Sequence, residues 1–187
     1  MNGFIEICRE HEKTIETLPN LEEAVDASVN VITETILNGG KILTAGNGGS
    51  ACDAMHFSSE LIGRLDINRK SYPSLCLSSD PSVLTCVSND YGYEQLFKRQ
   101  LEGLLNPVDC VVVFSTSGNS ENIANALKYV QNTNAKSIAF LGKGGGFCKG
   151  LANIELIIHS EHTARIQEAH ILITHAVCKL VQGKIES

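Results

Sequence analysis

Two short polar motifs in the sequence have residue types that suit the binding of an anion. The first, GNGGS at residues 46–50, contains glycines that let the backbone approach a ligand closely. The second, STSGNS at residues 115–120, carries four hydroxyl groups where a helix cap would need one, which favours a phosphate over a serine-rich cap. The candidate binding residues are Asn47, Gly48, Gly49, Ser50, Ser115, Thr116, Ser117 and Ser120.

The first motif also fits a dinucleotide-binding pattern. Together with Ala51 it reads G-x-G-x-x-A. That pattern calls for an acidic residue at the end of the next strand. Asp66 is at a plausible distance but lies in a charged loop before that strand, so we do not favour a dinucleotide. A tight strand–helix turn without any ligand stays open as an alternative.

A third candidate group follows the glycine-rich turn on a helix. His56 and Glu60 are four residues apart and therefore share one helix face. They could be two metal ligands or an acid/base pair, and the alternative is an ordinary surface pair. The opposite face carries Ala54, Phe57 and Leu61, so the helix presents an apolar side to the core.

The last helix carries Gln167, His170 and His175 within an otherwise apolar stretch. A histidine in such a stretch can be a core residue or a functional one, and the spacing leaves both interpretations open. Eight residues of helix rise about 12 Å and rotate about 80°, so Gln167 and His175 share roughly one side but are far apart. If both bind one ion, they must stretch toward each other or come from different subunits.

The elements around these motifs alternate between strands and helices, which predicts a parallel sheet covered on both faces. Five strands are expected, at residues 41–45, 74–77, 108–114, 137–141 and 154–158. Helices are expected near residues 4–18 and 21–37, and then between and after the strands, with NDYGY at residues 89–93 as a turn. Ligands bind beyond the carboxyl ends of such strands, where both polar motifs and GKGGG at residues 142–146 lie.

The composition narrows the class of protein. The 187 residues suit one domain, and no linker or repeat divides them. The net charge of -6 argues against nucleic acid or an anionic membrane as a partner. The seven cysteines form no C-x-x-C pair, and the N-terminus has no signal-peptide pattern, so we expect reduced thiols and a cytoplasmic location. An apolar stripe at Val25, Val29, Ile32 and Ile36 predicts a homo-oligomer in which the N-terminal and last helices meet.

Taken together, the motifs GNGGSACDAMHFSSEL, SNDYGYEQLF, STSGNS, GKGGG and ARIQEAHILITH resemble the sugar isomerase (SIS) domain family, and within it the bacterial phosphoheptose isomerases. The resemblance covers nearly the whole chain. It implies a single SIS domain over residues 1–187, with N-terminal helices at 1–38 and an α/β unit at 41–187. It further implies a three-layer fold with a flavodoxin-like sheet, and a homotetramer with active sites at subunit interfaces.

The resemblance also implies an activity and roles for individual residues. The reaction is the conversion of sedoheptulose 7-phosphate to D-glycero-D-manno-heptose 7-phosphate, for the heptose of lipopolysaccharide or other surface glycans. The serine motif matches the phosphate site, and Glu60 and His175 match the catalytic acid/base pair. The positions that match substrate contacts are Asn47, Gly48, Gly49, Ser50, Glu60, Asn89, Asp90 and Gln167. The positions that match the ligands of one zinc per subunit are His56, Glu60, Gln167 and His175.

Two other functions are compatible with this fold. One is a non-enzymatic SIS protein that binds the bacterial replication initiator, and the other is a regulatory module that senses a sugar phosphate. The relative that binds the initiator lacks Glu and His at the positions that match Glu60 and His175, and a sensor needs no acid/base pair. Both residues are present here, so the enzyme is favoured.

Overall fold

The computed structural model describes residues 3–187 and contains a five-stranded sheet in which all neighbouring strands are parallel. The strand order is β2-β1-β3-β4-β5, the flavodoxin-like arrangement, so the predicted sheet is confirmed. The strands are β1 (Ile42–Gly46), β2 (Ser74–Cys76), β3 (Cys110–Ser115), β4 (Lys136–Gly142) and β5 (Ile154–Ile158). Residues 1 and 2 of the predicted domain lie outside the described range.

Seven α-helices accompany the sheet in the described part of the chain. They are α1 (Phe4–Ile15), α2 (Glu22–Leu37), α3 (Gly49–Ile62), α4 (Pro81–Tyr91), α5 (Leu96–Leu104), α6 (Glu121–Gln131) and α7 (Thr163–Glu186). None of these helices is long and apolar enough to cross a membrane.

The helices form two layers because the strand side chains alternate between the two faces of the sheet. On β3, Val112 and Phe114 belong to a core with α2, α3 and α7, whereas Val111 and Val113 belong to a second core with α4, α5 and α6. All four of these side chains are fully buried. The three-layer α/β sandwich predicted from the alternation of elements is therefore confirmed.

Two boundaries differ from the sequence prediction, and each has a local cause. α1 ends at Ile15 instead of residue 18, and residues 18–21 form a 3-10 helix around Pro19. Proline lacks an N–H group and disfavours helical geometry in the preceding residue. The predicted turn at residues 89–93 begins later, because α4 continues through Asn89 and Asp90 to Tyr91. The chain turns at Gly92, whose φ of 92° suits glycine.

The apolar stripe on α2 lies inside the chain's own core. Val29 and Ile32 are 1% exposed, and Val25 and Ile36 pack against the same cluster. The stripe therefore packs largely within the chain, so it does not by itself indicate a contact between subunits. Exposed apolar side chains occur in several places, among them Phe4 on α1 at 79% exposed, Leu37 at the end of α2, and Leu172 and Leu180 on α7.

Candidate active site

The glycine-rich turn connects β1 to α3 through a backbone path that leaves no room for larger residues. Gly48 has a φ of 54°, in the left-handed region that glycine accepts readily. A Cβ atom on Gly46 would lie 2.2 Å from the Ser50 carbonyl oxygen, and one on Gly49 would lie 2.1 Å from the Gln167 amide nitrogen. The turn thus brings the beginning of α3 directly against Gln167 on α7.

The serine-rich turn between β3 and α6 keeps its hydroxyl groups close together. Ser115 is 2% exposed, and its Oγ lies 3.0 Å from the Ser120 Oγ. The Asn119 backbone N–H donates to the Ser117 Oγ at 3.1 Å, and Thr116 and Ser117 are partly exposed. Ser120 occupies the cap position of α6 but makes no side-chain capping bond. Its hydroxyl therefore does not serve as an ordinary helix cap, which favours an anion-binding role for the turn.

The glycine-rich and serine-rich turns lie next to each other, because β1 and β3 are neighbours in the sheet. β1 is followed by a helix on one face and β3 by a helix on the other, which opens a crevice between their carboxyl ends. A cleft of about 330 Å³ lies there, lined by Asn47, Tyr93, Glu94, Ser120, Glu121 and Asn122. An adjoining cleft of about 260 Å³ shares Asn47 and Tyr93 and reaches Ser78.

Sequence reasoning identified Asn47 and Ser120 in this cleft but missed Tyr93 and Asn122. Asn122 follows the serine motif by two residues and is only 2% exposed. A polar residue on the apolar face of an amphipathic helix is a signal that could have identified it, since buried amides need partners. Tyr93 belongs to NDYGY, and nothing in the sequence alone indicates that its hydroxyl reaches Asn47.

A second polar group lies farther along the contact between α3 and α7. The His56 Nε2 is 2.8 Å from the His175 Nε2 and 3.4 Å from the Glu60 Oε1. One nitrogen or oxygen from each of the three residues lies within 4.8 Å of the others, and all three residues are partly buried. We call this group the His-Glu-His cluster. Two imidazoles and a carboxylate are suitable donors for zinc, so the residues fit that ion.

Gln167, the fourth predicted metal ligand, is not part of this cluster in the same chain. Its amide packs against Gly49, whereas His56 follows Gly49 by seven residues, or about 10 Å of helix. The predicted substrate residues Asn89 and Asp90 are likewise separate from the cleft lining. They lie exposed at the end of α4, where the Asn89 Nδ2 donates to the Asp90 Oδ1 at 2.7 Å.

Between Gln167 and the His-Glu-His cluster, α3 and α7 contribute a buried polar pair. The Asp53 Oδ2 lies 4.0 Å from the His170 Nδ1, and both side chains are almost completely buried. Burial raises the pKa of Asp53 to about 6. Burial also lowers the pKa of His170 to about 4, against a smaller opposing effect of the Leu141 carbonyl. His170 is thus a core residue that packs on Phe114 and Phe140.

Comparisons with known proteins agree with this architecture. The family model described as the SIS domain matches residues 7–142. The phosphoheptose isomerase of Aliarcobacter butzleri is 42% identical over 176 residues, which cover 94% of this chain and 93% of the relative. A phosphoheptose isomerase structure from Francisella tularensis superposes with a TM-score of 0.88 at 34% identity, covering 97% of this chain and 98% of the other.

A second solved structure gives the same result. The phosphoheptose isomerase of Neisseria gonorrhoeae superposes with a TM-score of 0.84 at 35% identity, covering 96% of this chain and 95% of the other. The family model spans most of the chain, and relatives well above 30% identity span nearly all of it. The chain therefore belongs to the SIS domain family and, within that family, to the phosphoheptose isomerases.

Proposed function

We propose that this protein is an aldose–ketose isomerase that converts sedoheptulose 7-phosphate to D-glycero-D-manno-heptose 7-phosphate. The observation that carries the proposal is the His-Glu-His cluster in a chain that belongs to the phosphoheptose isomerases. An enzyme needs the carboxylate and imidazole that this cluster supplies, whereas a protein that only binds the replication initiator or senses a sugar phosphate does not. The product would supply heptose for lipopolysaccharide or another surface glycan, in the cytoplasm.

The reaction moves one proton between two neighbouring carbons. In the open-chain ketose, the Glu60 carboxylate takes a proton from C1, and the carbonyl at C2 becomes the hydroxyl of an enediol. Glu60 then returns the proton to C2 while the C1 oxygen becomes the aldehyde carbonyl. His175 moves the proton between the two oxygens and assists ring opening. The proximity of Glu60 to His175 supports the placement of both groups at one reacting centre.

The phosphate of the substrate would bind at the serine-rich turn. The hydroxyls of Ser115, Thr116, Ser117 and Ser120 and the first N–H groups of α6 offer donors to an anion. Asn47, Gly48, Gly49 and Ser50 would contact the sugar chain from the opposite side of the crevice, together with Asn89, Asp90, Glu60 and Gln167.

We further propose one zinc ion per subunit, held by His56, Glu60 and His175. When bound, such an ion acts as a Lewis acid on the carbonyl oxygen. Gln167 of the same chain lies about two helical turns away, so it would join the set only if a second copy of the chain supplied it. The donor set of the three clustered residues supports the ion.

A homotetramer with active sites at subunit interfaces is the assembly we propose. Within one chain, the cleft at the serine-rich turn does not include any member of the His-Glu-His cluster in its lining. The exposed apolar side chains of Phe4, Ile5, Leu172 and Leu180 offer surface for other copies on α1 and α7. Light scattering should give about four times the 20.2 kDa chain mass, and a monomer at micromolar concentration would rule the assembly out.

The direct test is an isomerase assay with sedoheptulose 7-phosphate, with and without a chelator. The untreated protein should form the aldose phosphate, and the chelator should reduce the rate if the proposed zinc takes part. An inactive protein that still binds the sugar phosphate would favour the regulatory module, and an inactive protein without such binding would favour the replication-initiator partner.

A further inference from the structure

The side chain of Asn47 is held by two residues from two other parts of the chain. Its Oδ1 accepts a hydrogen bond from the Tyr93 hydroxyl at 2.7 Å and another from the Asn122 Nδ2 at 3.0 Å. Its Nδ2 donates to the Asn122 Oδ1 at 2.8 Å. The two amides therefore pair reciprocally across the crevice that separates the ends of β1 and β3.

These contacts use most of the hydrogen-bonding capacity of Asn47. An amide oxygen accepts two hydrogen bonds and an amide nitrogen donates two. Both acceptor positions and one donor are occupied, so one N–H remains to meet a ligand in the cleft. Asn122 is 2% exposed and Tyr93 is 54% exposed. The Asn47 side chain is therefore held by a buried residue on one side and by a solvent-exposed residue on the other.

The charges in the same cleft indicate which ligand group this N–H meets. Glu94 and Glu121 belong to the lining together with Asn47. Both carboxylates can accept hydrogen bonds from hydroxyl groups, so this lining suits a neutral sugar chain beside Asn47. The serine hydroxyls and the first N–H groups of α6 are the proposed donors to the phosphate, which leaves the free N–H of Asn47 to meet a neutral hydroxyl of the sugar chain.

We propose that Asn122 is a positioning residue for the isomerase reaction, which fixes the Asn47 amide so that its remaining N–H donates to a sugar hydroxyl. This inference rests on the proposed function. Asn122 is the second residue of α6, just after the serine-rich turn, so the amide pair connects the phosphate site to the glycine-rich turn. Tyr93 is the third member and keeps the Asn47 oxygen turned away from the ligand.

A double-mutant cycle tests whether Asn122 acts through Asn47. Asn122→Ala should lower kcat/KM about tenfold, mainly through KM, because the loss of two hydrogen bonds frees the Asn47 amide. In an Asn47→Ala background, Asn122→Ala should lower kcat/KM by less than about twofold more. Tyr93→Phe should lower it about two- to threefold, since one contact is lost. Asn132→Ala, at the exposed end of α6, is the control and should match the wild type.

The outcomes separate a positioning role from a purely structural one. Additive losses in the double variant would overturn the proposal, because Asn122 would then act independently of Asn47. Unfolding would also overturn the proposal as the cause of the loss. It would appear as a lowered thermal midpoint of Asn122→Ala together with a normal kcat/KM at low temperature.

A crystal structure of the Asn122→Ala protein gives a readout that does not depend on activity. The Asn47 amide should rotate away from its wild-type position while the backbone of residues 46–50 keeps its path. An unchanged Asn47 amide would overturn the positioning role. If the wild-type protein does not isomerise the sugar phosphate, the proposed function fails, and this structure still decides whether Asn122 positions Asn47.

Discussion

Two polar groups on the same pair of helices have very different surroundings. The His-Glu-His cluster lies where α3 and α7 reach solvent, and its side chains are partly exposed. The pair formed by Asp53 and His170 lies about one turn earlier on both helices, and its exposed side-chain fractions are 7% and 0%. Within residues 3–187, the Asp53 Oδ2 and the His170 Nδ1 have no hydrogen-bond partner. Burial therefore distinguishes two groups of similar composition.

This difference explains why two histidines on one helix have different roles. His170 is enclosed by Phe114 and Phe140, so the charged form of its ring is disfavoured. His175 is five residues later, partly exposed, and within 2.8 Å of the His56 Nε2. Only the second can exchange protons with a ligand or bind an ion, because only the second is accessible. The variants below test this comparison.

The largest effect is expected at the accessible cluster. Glu60→Gln keeps the shape of the side chain but removes the base, so kcat should fall on the order of 10³-fold while binding of sedoheptulose 7-phosphate persists. His175→Gln should lower kcat on the order of 10²-fold for the same reason. Steady-state kinetics give kcat, and isothermal titration gives the affinity.

The matched control for this prediction is Glu34→Gln, an exposed carboxylate on α2 that lies away from the cluster. Its kinetics should match those of the wild type. A Glu60→Gln protein with near-normal kcat would contradict the proposed mechanism and would make a binding function the better explanation.

Most of the fold could be predicted from the sequence because the strand signals are local. The run of β-branched residues before the serine motif predicts a strand buried on both faces, and β3 is fully buried along its length. The shared helix face of His56 and Glu60 was equally predictable, because it follows from four-residue spacing. The end of α4 could not be predicted, because Asn89 and Asp90 are residue types common in turns. The positive φ of Gly92 sets the actual turn.

The relation between distant segments could not be predicted from spacing. Nothing in the sequence shows that α3 and α7 run side by side so that Gly49 meets Gln167 while His56 meets His175. The apolar stripe of α2 was recognised, but its packing within the chain was not, since an apolar face does not reveal whether it packs within the chain or between chains. The polar contact of Tyr93 with Asn47 spans 46 residues and leaves no local signal.

The buried pair of Asp53 and His170 should make the stability of the protein depend on pH. Between about pH 4 and 6, the unfolded chain ionises at Asp53 while the folded chain keeps the proton, so this group lowers stability as pH rises. Between about pH 6.5 and 4, the unfolded chain protonates at His170 while the folded chain does not, so this group lowers stability as pH falls. In the wild type the two slopes oppose each other.

Single substitutions should reveal the two opposing slopes. Asp53→Asn leaves only the His170 contribution, so its free energy of unfolding should fall toward acid pH more steeply than that of the wild type. His170→Phe leaves only the Asp53 contribution, so its free energy of unfolding should fall from about pH 4 to 6. Urea denaturation at fixed protein concentration measures both slopes, with the exposed Asp26→Asn as the control. Equal slopes in the two variants would contradict the assignment.

The smallest effect is expected at the serine-rich turn, which is accessible like the His-Glu-His cluster but contains no titratable side chain. Ser117→Ala combined with Ser120→Ala removes two hydroxyls next to the first turn of α6, so KM for the sugar phosphate should rise about tenfold. The change in kcat should stay within about twofold, because phosphate binding contributes equally before and during proton transfer.

Ser79→Ala, whose exposed hydroxyl donates to the Cys76 carbonyl, is the control. A double variant that lost kcat with an unchanged KM would place the turn in the chemistry and move the phosphate elsewhere. An increase in KM alone would support binding of the phosphate at the turn and leave the proton transfer with the His-Glu-His cluster.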